Sequence, residues 1–526
     1  MGPLCVTLLL VTPFIAYIHH HQYNLFVVEI LLVVGVLVLI GLCLGLLVAR
    51  SQEISQALLL TALITISIDL SSREESLTFL LGLLLVIYFV VRILQRHILS
   101  IVSIMCLAAI LSNALVPGQE IYRYSEVADA NASKLPPVIH LILDEYMSAD
   151  ALPPEVDADG SLRLEITDFF VQNGFDVAGG AYSQYFNTYN SIGNTLNFES
   201  SSTDAYQFLN ASEPYVLKTS AYFENLAAEG YRFRIYQSSF LDYCRVPAIE
   251  ILSCFTYESA SIKYVEDVPL PSMQKADFIL GDFGRLSKLR VLTRRLYNRL
   301  QAAEFTKGLL PFWQNSLTAY GPIPTLSLFD QIAEDVSKSP GGEVFFAHLL
   351  IPHSAYILDD DCIVRSNLEM WRSRKAKIYS VNQANTESSR ISTYMAYIKQ
   401  LRCTNQLLAE FFDQLRSSGQ FESATIILHG DHGSRINLSW ASAGNFERLV
   451  DSDFKDGFPT LFATKTPGTK AGYSGTPKTL SRLLAEAMGV KGPEETQIFL
   501  FSGKGKAMIP HAMPDSWHSA LPGLMP

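Results

Sequence analysis

Apolar residues follow two rhythms along this chain. Before Pro117 they form five near-continuous runs: Leu4–Ile18, Ile30–Ala49, Ile54–Ile68, Ser76–Val91 and Ile98–Val116. The second is 20 uncharged residues, enough for a bilayer-crossing helix, and the third is short and the weakest of the five. After Pro137 the runs shorten to strand length and alternate with stretches of helical period. Strands are expected at Val138–Leu143, Tyr231–Tyr236, Glu343–Leu350, Thr425–Leu428 and Pro459–Thr464. Helices are expected at Ser161–Asn173, Ser220–Glu229, Thr393–Leu415 and near Lys478–Met488. An Arg-bearing helix over Phe278–Leu300 reads as a solvated face. The fold class is therefore α/β. A five-helix transmembrane region (1–116) and a linker (117–137) precede one large domain (138–526), an α/β/α sandwich with a mostly parallel sheet.

Composition sharpens this division. The 526 residues are 49% hydrophobic, with mean hydropathy +0.20, and the apolar excess lies before Pro117. Arg50 and Arg92/Arg96 sit in alternate connections between the runs, which puts those connections in the cytoplasm and everything after Pro117 outside. The first run lacks a basic leader and a small-residue cleavage site, against a removed signal peptide. Glu29 and Asp69 fall near the outer ends of their runs and read as interfacial. A net charge of −11 argues against nucleic acid as a partner. Four of seven cysteines, Cys244, Cys254, Cys362 and Cys403, lie outside the apolar runs. Cys244 with Cys254 is the more local pairing, and four reduced thiols is the competing reading.

Chemistry gathers at strand ends. Val138–Leu143 runs into Asp144-Glu145, Glu343–Leu350 into Ile351-Pro352-His353, and Thr425–Leu428 into His429-Gly430-Asp431-His432-Gly433-Ser434-Arg435. In open α/β sheets sites form beyond the carboxyl ends of strands, and Asp beside His suits a divalent cation. Gly433 is read as a backbone turn closed to other residues. Between the first and second of these ends lies Ser183-Gln184-Tyr185-Phe186-Asn187-Thr188-Tyr189-Asn190-Ser191, rich in hydroxyls and amides and free of charge. On its own this stretch reads as a capped turn, although a hydroxyl opening a helix would sit where backbone N–H groups favour anions. His353 reads equally well as a strand-end residue bonded to backbone.

Taken in order, these motifs resemble the alkaline phosphatase/sulfatase superfamily over about Pro137 to Gly489. Five spans before such a domain are similar to the lipoteichoic acid synthases and the lipid A phosphoethanolamine transferases. The resemblance implies an alkaline-phosphatase-like sandwich and one divalent metal, manganese or zinc. It implies Glu145, Asp431, His432 and the nucleophile as ligands, with Asp144 as a further one. Ser-x-Tyr-x-x-Thr-x-x-Ser, here Ser183, Tyr185, Thr188 and Ser191, resembles the nucleophile segment of membrane-bound members, which implies Thr188 as nucleophile, with Ser191 and Thr195 as competitors. It implies that His353 faces the substrate; Arg435 and Ser191 are expected to bind it. The expected reaction moves a phosphoethanolamine or phosphoglycerol headgroup from a membrane phospholipid donor to a cell-envelope glycan or lipid acceptor, at a bacterial inner membrane with the domain periplasmic. Hydrolysis of a phosphodiester or phosphomonoester is the alternative, and a non-catalytic envelope factor the third reading. No Cys or Ser stands in the C/S-x-P-x-R spacing that sulfate-ester hydrolysis requires; Cys244-Arg245-Val246-Pro247 has the wrong spacing.

Overall fold

The computed structural model describes residues 2–71, 76–94, 97–113, 115–118, 120–126, 133–200, 206–207, 215–247, 249–259, 261–289, 321–366, 387–436, 447, 449–494, 496–501 and 508–513. The chain divides into two compact units, Met1–Ile121 with Ser261–Ser316, and Tyr122–Ala260 with Leu317–Pro526.

In the first unit the five apolar runs are helices: α1 (Gly2–His20), α2 (Val28–Arg50), α3 (Glu53–Ser71), α4 (Leu77–Ile93) and α5 (Ile98–Asn113). The first three are long and apolar enough to cross a membrane; α4 and α5, at 17 and 16 residues, are shorter apolar helices. The weakest run thus gives a 19-residue helix. Small residues let α1 and α2 approach closely: a Cβ added at Gly45 would lie 2.3 Å from Pro3 Cα. The Arg-bearing stretch differs from expectation. Its helix, α9, starts earlier and spans Ser272–Arg285, while residues 290–300 lie outside the described residues. Nor is α9 simply solvated. Phe283 is buried with its ring 5.3 Å from that of Phe14, and the Tyr17 hydroxyl donates to Asp282 at 2.6 Å. The two acids at the run ends anchor this segment. Glu29 accepts from the Tyr23 hydroxyl at 3.0 Å and lies 4.0 Å from Lys275 Nζ, and Asp69 accepts from the backbone N–H of Lys288 at 2.8 Å.

The second unit is built on strands β1 (Tyr122–Glu126), β2 (Val138–Leu143), β3 (Asp176–Ala178), β7 (Arg232–Ser238), β9 (Ile251–Tyr257), β10 (Glu343–Leu349), β11 (Thr425–His429), β12 (Phe462–Lys465) and β13 (Gly472–Ser474). They form one sheet in the order β1-β9-β7-β10-β2-β11-β12-β3-β13. Pairing is parallel except for β1 with β9, β11 with β12 and β12 with β3. Short strands β4 (Ala181–Tyr182), β5 (Tyr206–Gln207), β6 (Tyr215–Leu217), β8 (Leu241–Asp242) and β14 (Lys478–Thr479) make minor pairings, and β15 (Gln497–Phe501) with β16 (Met508–Ala512) forms a hairpin.

The central strands β2 and β10 are buried along their whole length, as continuous apolar runs covered on both faces should be. One cover is α7 (Thr188–Leu196), α8 (Ala221–Ala228) and α13 (Leu480–Ala487), whose Ile192, Leu196, Phe223 and Leu484 join Ile142, Phe346 and Ile427 in one apolar cluster. A second group, α6 (Ser161–Gln172), α10 (Pro322–Ser337) and α11 (Glu387–Ser417), packs through Phe169–Phe412 and Phe329–Phe411. Helix α12 (Asp451–Gly457) follows β11. Disulfides join Cys244 to Cys254 and Cys362 to Cys403.

Candidate metal and nucleophile site

Strand β2 lies between β10 and β11, and Ile142 is opposite both His348 and His429. The next residues of all three strands therefore leave the sheet at one edge. Asp144, His353, Asp431 and His432 meet there, each at most 8% exposed.

Asp431 is fixed first. Its Oδ1 accepts from the backbone N–H of Glu145 at 2.9 Å and of His432 at 3.0 Å. Its Oδ2 lies 3.1 Å from His432 Nε2 yet has no hydrogen-bond partner. His432 Nδ1 lies 2.8 Å from the Gly433 carbonyl and donates to it, which leaves Nε2 as a lone-pair donor toward the site. Asp144 Oδ1 is likewise buried without a hydrogen bond. One ligand atom from each of Asp144, Asp431 and His432 lies within 4.8 Å of the others. Buried polar atoms are almost always satisfied, so two orphaned carboxylate oxygens converging with an imidazole nitrogen fit a divalent cation.

Asp144 groups with Asp431 and His432 in one set of side chains able to hold a metal ion, and with Glu145 and His353 in a second, so both adjacent acids stand in such sets. Glu145 sits at φ 65°, in the left-handed region, with a carboxylate oxygen within 4.8 Å of one of Asp144. Gly433 has a different reason from the one expected. Its φ is not positive; a Cβ there would stand 2.0 Å from the Asp456 carbonyl.

Thr188 is the first residue of α7, and Asn187 before it makes no side-chain cap. The first-turn N–H groups thus remain available to an anion, and Thr188 Oγ1 lies 3.3 Å from His432 Nε2. Ser191, one turn on, has its hydroxyl committed: it donates to the Asp431 carbonyl and accepts from Ser183 at 2.8 Å. It braces the loop that carries Asp431. Thr195 is buried further along the helix. His353 Nε2 is 4.0 Å from Asp144 Oδ1 and 3.5 Å from Glu145 Oε1. Arg435 Nη2 bonds Glu145 Oε1 at 2.5 Å, and its Nη1 donates to the Phe186 carbonyl at 3.2 Å.

Charge is divided unequally between the two aspartates. Burial pushes the Asp144 carboxyl up, but the neighbouring His353 and His348 outweigh this and hold it well below the usual carboxylate range. Burial, and then the Asp144 charge, push Asp431 up.

Sequence reading missed the scaffold that holds these loops. Helix α11 carries Tyr394, Tyr397 and Gln400 at successive three-residue steps. Tyr394 donates to Asp456, which also accepts from Ser434 Oγ at 2.5 Å. Tyr397 donates to the Glu145 carbonyl and accepts from Met147 N–H. Gln400 holds the His353 loop with all of its amide. The available signal was polar residues at helical spacing on the face that also bears Leu401, Leu408 and Phe411.

Residues 307–467 match the family model described as Sulfatase. No curated protein sequence matches the chain. Among solved structures it is similar to the C-terminal periplasmic domain of EcEptC from Escherichia coli in complex with Zn (10% identity, 77% of this chain, 98% of that one, TM-score 0.38). It is also similar to the phosphonate monoester hydrolase of Agrobacterium radiobacter (12% identity, 69% of this chain, 80% of that one, TM-score 0.41). A third similar structure belongs to a Bacteroides thetaiotaomicron locus for glycosaminoglycan metabolism (10% identity, 72% of this chain, 84% of that one, TM-score 0.42).

Proposed function

We propose that this sulfatase-like, membrane-anchored enzyme moves a phospho-headgroup, phosphoethanolamine or phosphoglycerol, from a membrane phospholipid to an envelope glycan or lipid through a phospho-threonine on Thr188. The observation that carries the reading is Thr188 Oγ1 at the start of α7, 3.3 Å from His432 Nε2 and beside the orphaned oxygens of Asp144 and Asp431.

Asp144, Asp431, His432 and the Thr188 hydroxyl would hold the metal, which lowers the pKa of a coordinated hydroxyl and neutralises charge on a phosphoryl oxygen. With its proton given up to solvent, the Thr188 oxygen attacks phosphorus, and the bond from phosphorus to the diacylglycerol oxygen breaks. His353 supplies the proton that lets diacylglycerol leave as an alcohol. The first-turn N–H groups of α7 and the Arg435 guanidinium hold the remaining phosphoryl oxygens. An acceptor hydroxyl then gives its proton to His353 and attacks the phosphorus of phospho-Thr188, and the bond from phosphorus to the threonine oxygen breaks, freeing the threonine as its alkoxide.

Apolar helices in the same chain favour a lipid donor over a soluble ester, because they keep the enzyme at the bilayer that supplies it. The domain is read as extracytoplasmic from the arginine pattern between the helices. The test is to incubate the full chain with vesicles of headgroup-labelled phospholipid and weigh the Thr188 peptide. An adduct of headgroup-phosphate mass, chased by added acceptor, is expected. Turnover with no adduct on Thr188 would overturn the reading, and release of free headgroup without acceptor would make the enzyme a hydrolase.

A further inference from the structure

We propose that a cavity at the carboxyl ends of β7 and β9 holds an acidic sugar of the acceptor glycan, with Arg123 facing its carboxylate. This rests on the phosphoryl-transfer reading above and names where the acceptor docks.

The sheet places this cavity. β1 runs antiparallel to β9 with Arg123 opposite Thr256 and Ser125 opposite Cys254, and β7 runs parallel to β9 with Gln237 opposite Thr256. Opposed residues share a face, so Arg123, Ser125, Thr256 and Gln237 stand on one side of the sheet. It is the side covered by α7 and α8. Phe233 and Ile235, four and two residues before Gln237, belong to the apolar cluster that holds Ile192 of α7 and Phe223 of α8. β10 lies beside β7 with Ala347 opposite Tyr236, so Gln237 stands level with His348, where β10 turns toward His353. Tyr257, one residue beyond Thr256, makes the link: its hydroxyl donates to the His348 carbonyl at 3.0 Å and accepts from the Leu350 N–H at 3.1 Å. Cavity and Thr188 thus lie at one edge and on one face of the sheet, with β9 three strands, about 14 Å, from β2. A sugar in the cavity therefore belongs to an oligosaccharide whose reacting hydroxyl is on another residue.

The walls are fixed by the fold. The cavity holds about 250 Å³, below the roughly 300–1,000 Å³ of drug-sized ligand sites, and so takes one ring of a longer chain. Gln237, Asp242 and Thr256 in its wall are each at most 8% exposed. Gln237 Nε2 donates to Asp242 Oδ1 at 3.3 Å and to Thr256 Oγ1 at 3.1 Å. The Cys244–Cys254 disulfide, also in the wall, pins the loop that carries Arg245 to β9. Walls of amide, hydroxyl and carboxylate suit a ring of hydroxyls, each of which both donates and accepts.

Charge selects an acid. Arg245 Nε is 3.0 Å from Asp242 Oδ2 and is offset by it. Arg123 is exposed and, among the described residues, makes no ion pair. Two guanidiniums against one carboxylate leave the lining one positive charge in surplus. That surplus matches a sugar carboxylate better than a phosphomonoester, which carries close to two negative charges.

The experiment titrates the full chain in detergent micelles, free of phospholipid, with trigalacturonate and with the neutral trisaccharide maltotriose, by calorimetry. Trigalacturonate is expected to bind at least roughly tenfold more tightly than maltotriose, with the gap narrowing as salt is raised. Arg123→Gln, at an exposed position, should weaken trigalacturonate about fivefold to tenfold and leave maltotriose unchanged. Arg402→Gln, exposed on α11, should change neither. No binding of trigalacturonate, or equal affinity for the acidic and neutral sugars, overturns the proposal. So does an unaltered trigalacturonate affinity in Arg123→Gln, or an equal loss in Arg402→Gln. Failure of the phosphoryl-transfer reading shows separately, as a wild-type chain that binds the acid yet forms no Thr188 adduct.

Discussion

Gln400 donates to the carbonyl of His353 at 2.8 Å and, from the same amide nitrogen, to that of Pro352 at 3.1 Å. Its oxygen accepts from the N–H groups of Ile357 and Leu358 at 2.8 and 3.1 Å. One fully buried side chain on α11 therefore sets the loop that carries His353. Gln400→Ala strands two buried N–H groups and two carbonyls, at a cost of about 2–4 kcal/mol. A lower thermal midpoint and a kcat at least roughly tenfold down are expected. Gln400→Glu should be as harmful, because it turns an oxygen toward two carbonyls. Unchanged kcat in a folded Gln400→Ala protein would separate this loop from the chemistry.

Asp431→Asn and Asp144→Asn should each lose metal, since each removes an oxygen that no protein donor satisfies. The drop in affinity is expected to exceed the roughly tenfold to hundredfold typical of outer-shell changes. Metal-to-protein ratio after dialysis is the measurement, and full occupancy in either variant would remove that residue from the ligand set.

Acid should destabilise this fold through His140. Its two ring nitrogens are buried without hydrogen bonds in the middle of β2, with the His429 ring 4.9 Å away. Burial, and then His429, hold its pKa well below 6.5. The unfolded chain therefore binds a proton that the folded chain refuses. The contribution is neutral above about 6.5 and turns against folding as pH falls below it, by up to about 1.4 kcal/mol per pH unit. His140→Phe should flatten the acid limb of a plot of thermal midpoint against pH, with little change near pH 8. An acid limb unaltered by that substitution would assign the sensitivity to other groups.

The Cys362–Cys403 disulfide ties the turn after the His353 loop to α11 across 41 residues of sequence. A loop of that length is worth about 4 kcal/mol in the chain-entropy account. Cys362→Ser/Cys403→Ser should lower the thermal midpoint and reduce kcat through the His353 loop. Cys244→Ser/Cys254→Ser, spanning only 10 residues, should cost less. Equal losses from the two pairs would count against loop length as the governing factor.

What the sequence disclosed, it disclosed through burial. β2, β10 and β11 are continuous apolar runs because both faces of the sheet are covered, and each run points at the chemical groups that follow it. The local Cys244–Cys254 pair was legible for a similar reason, being a matter of short range. The left-handed turn at Glu145 was not, because it is held by contacts from Asp431 and Tyr397, distant in the sequence. Nor was the brace on α11: a polar position at helical spacing looks the same whether it faces water or a loop. Arg-bearing α9 read as solvated because its partners, Phe14 and Tyr17, stand in the first apolar run.

Thr188 and Ser191 lie three residues apart in α7, yet their hydroxyls have opposite surroundings. Thr188 Oγ1 faces His432 Nε2 at the mouth of the helix, where a first-turn N–H field and the metal group converge. Ser191 Oγ is spent on the Asp431 carbonyl and on Ser183. Thr188→Ala should therefore fold, bind phospholipid and fail to turn over, with kcat down on the order of 10³-fold or more and no headgroup adduct. Ser191→Ala leaves Thr188 in place and frees a buried carbonyl, at about 1–2 kcal/mol of stability and a much smaller loss in kcat. Thr195→Ala, further down the helix, should cost less again. The decisive comparison is single-turnover kinetics of Thr188→Ala against Ser191→Ala, each with its adduct weighed. A dead Ser191→Ala beside an active Thr188→Ala would move the nucleophile one turn along α7. Normal turnover in both would leave no covalent step, and a water activated at the Asp144–Asp431–His432 group would become the attacking oxygen.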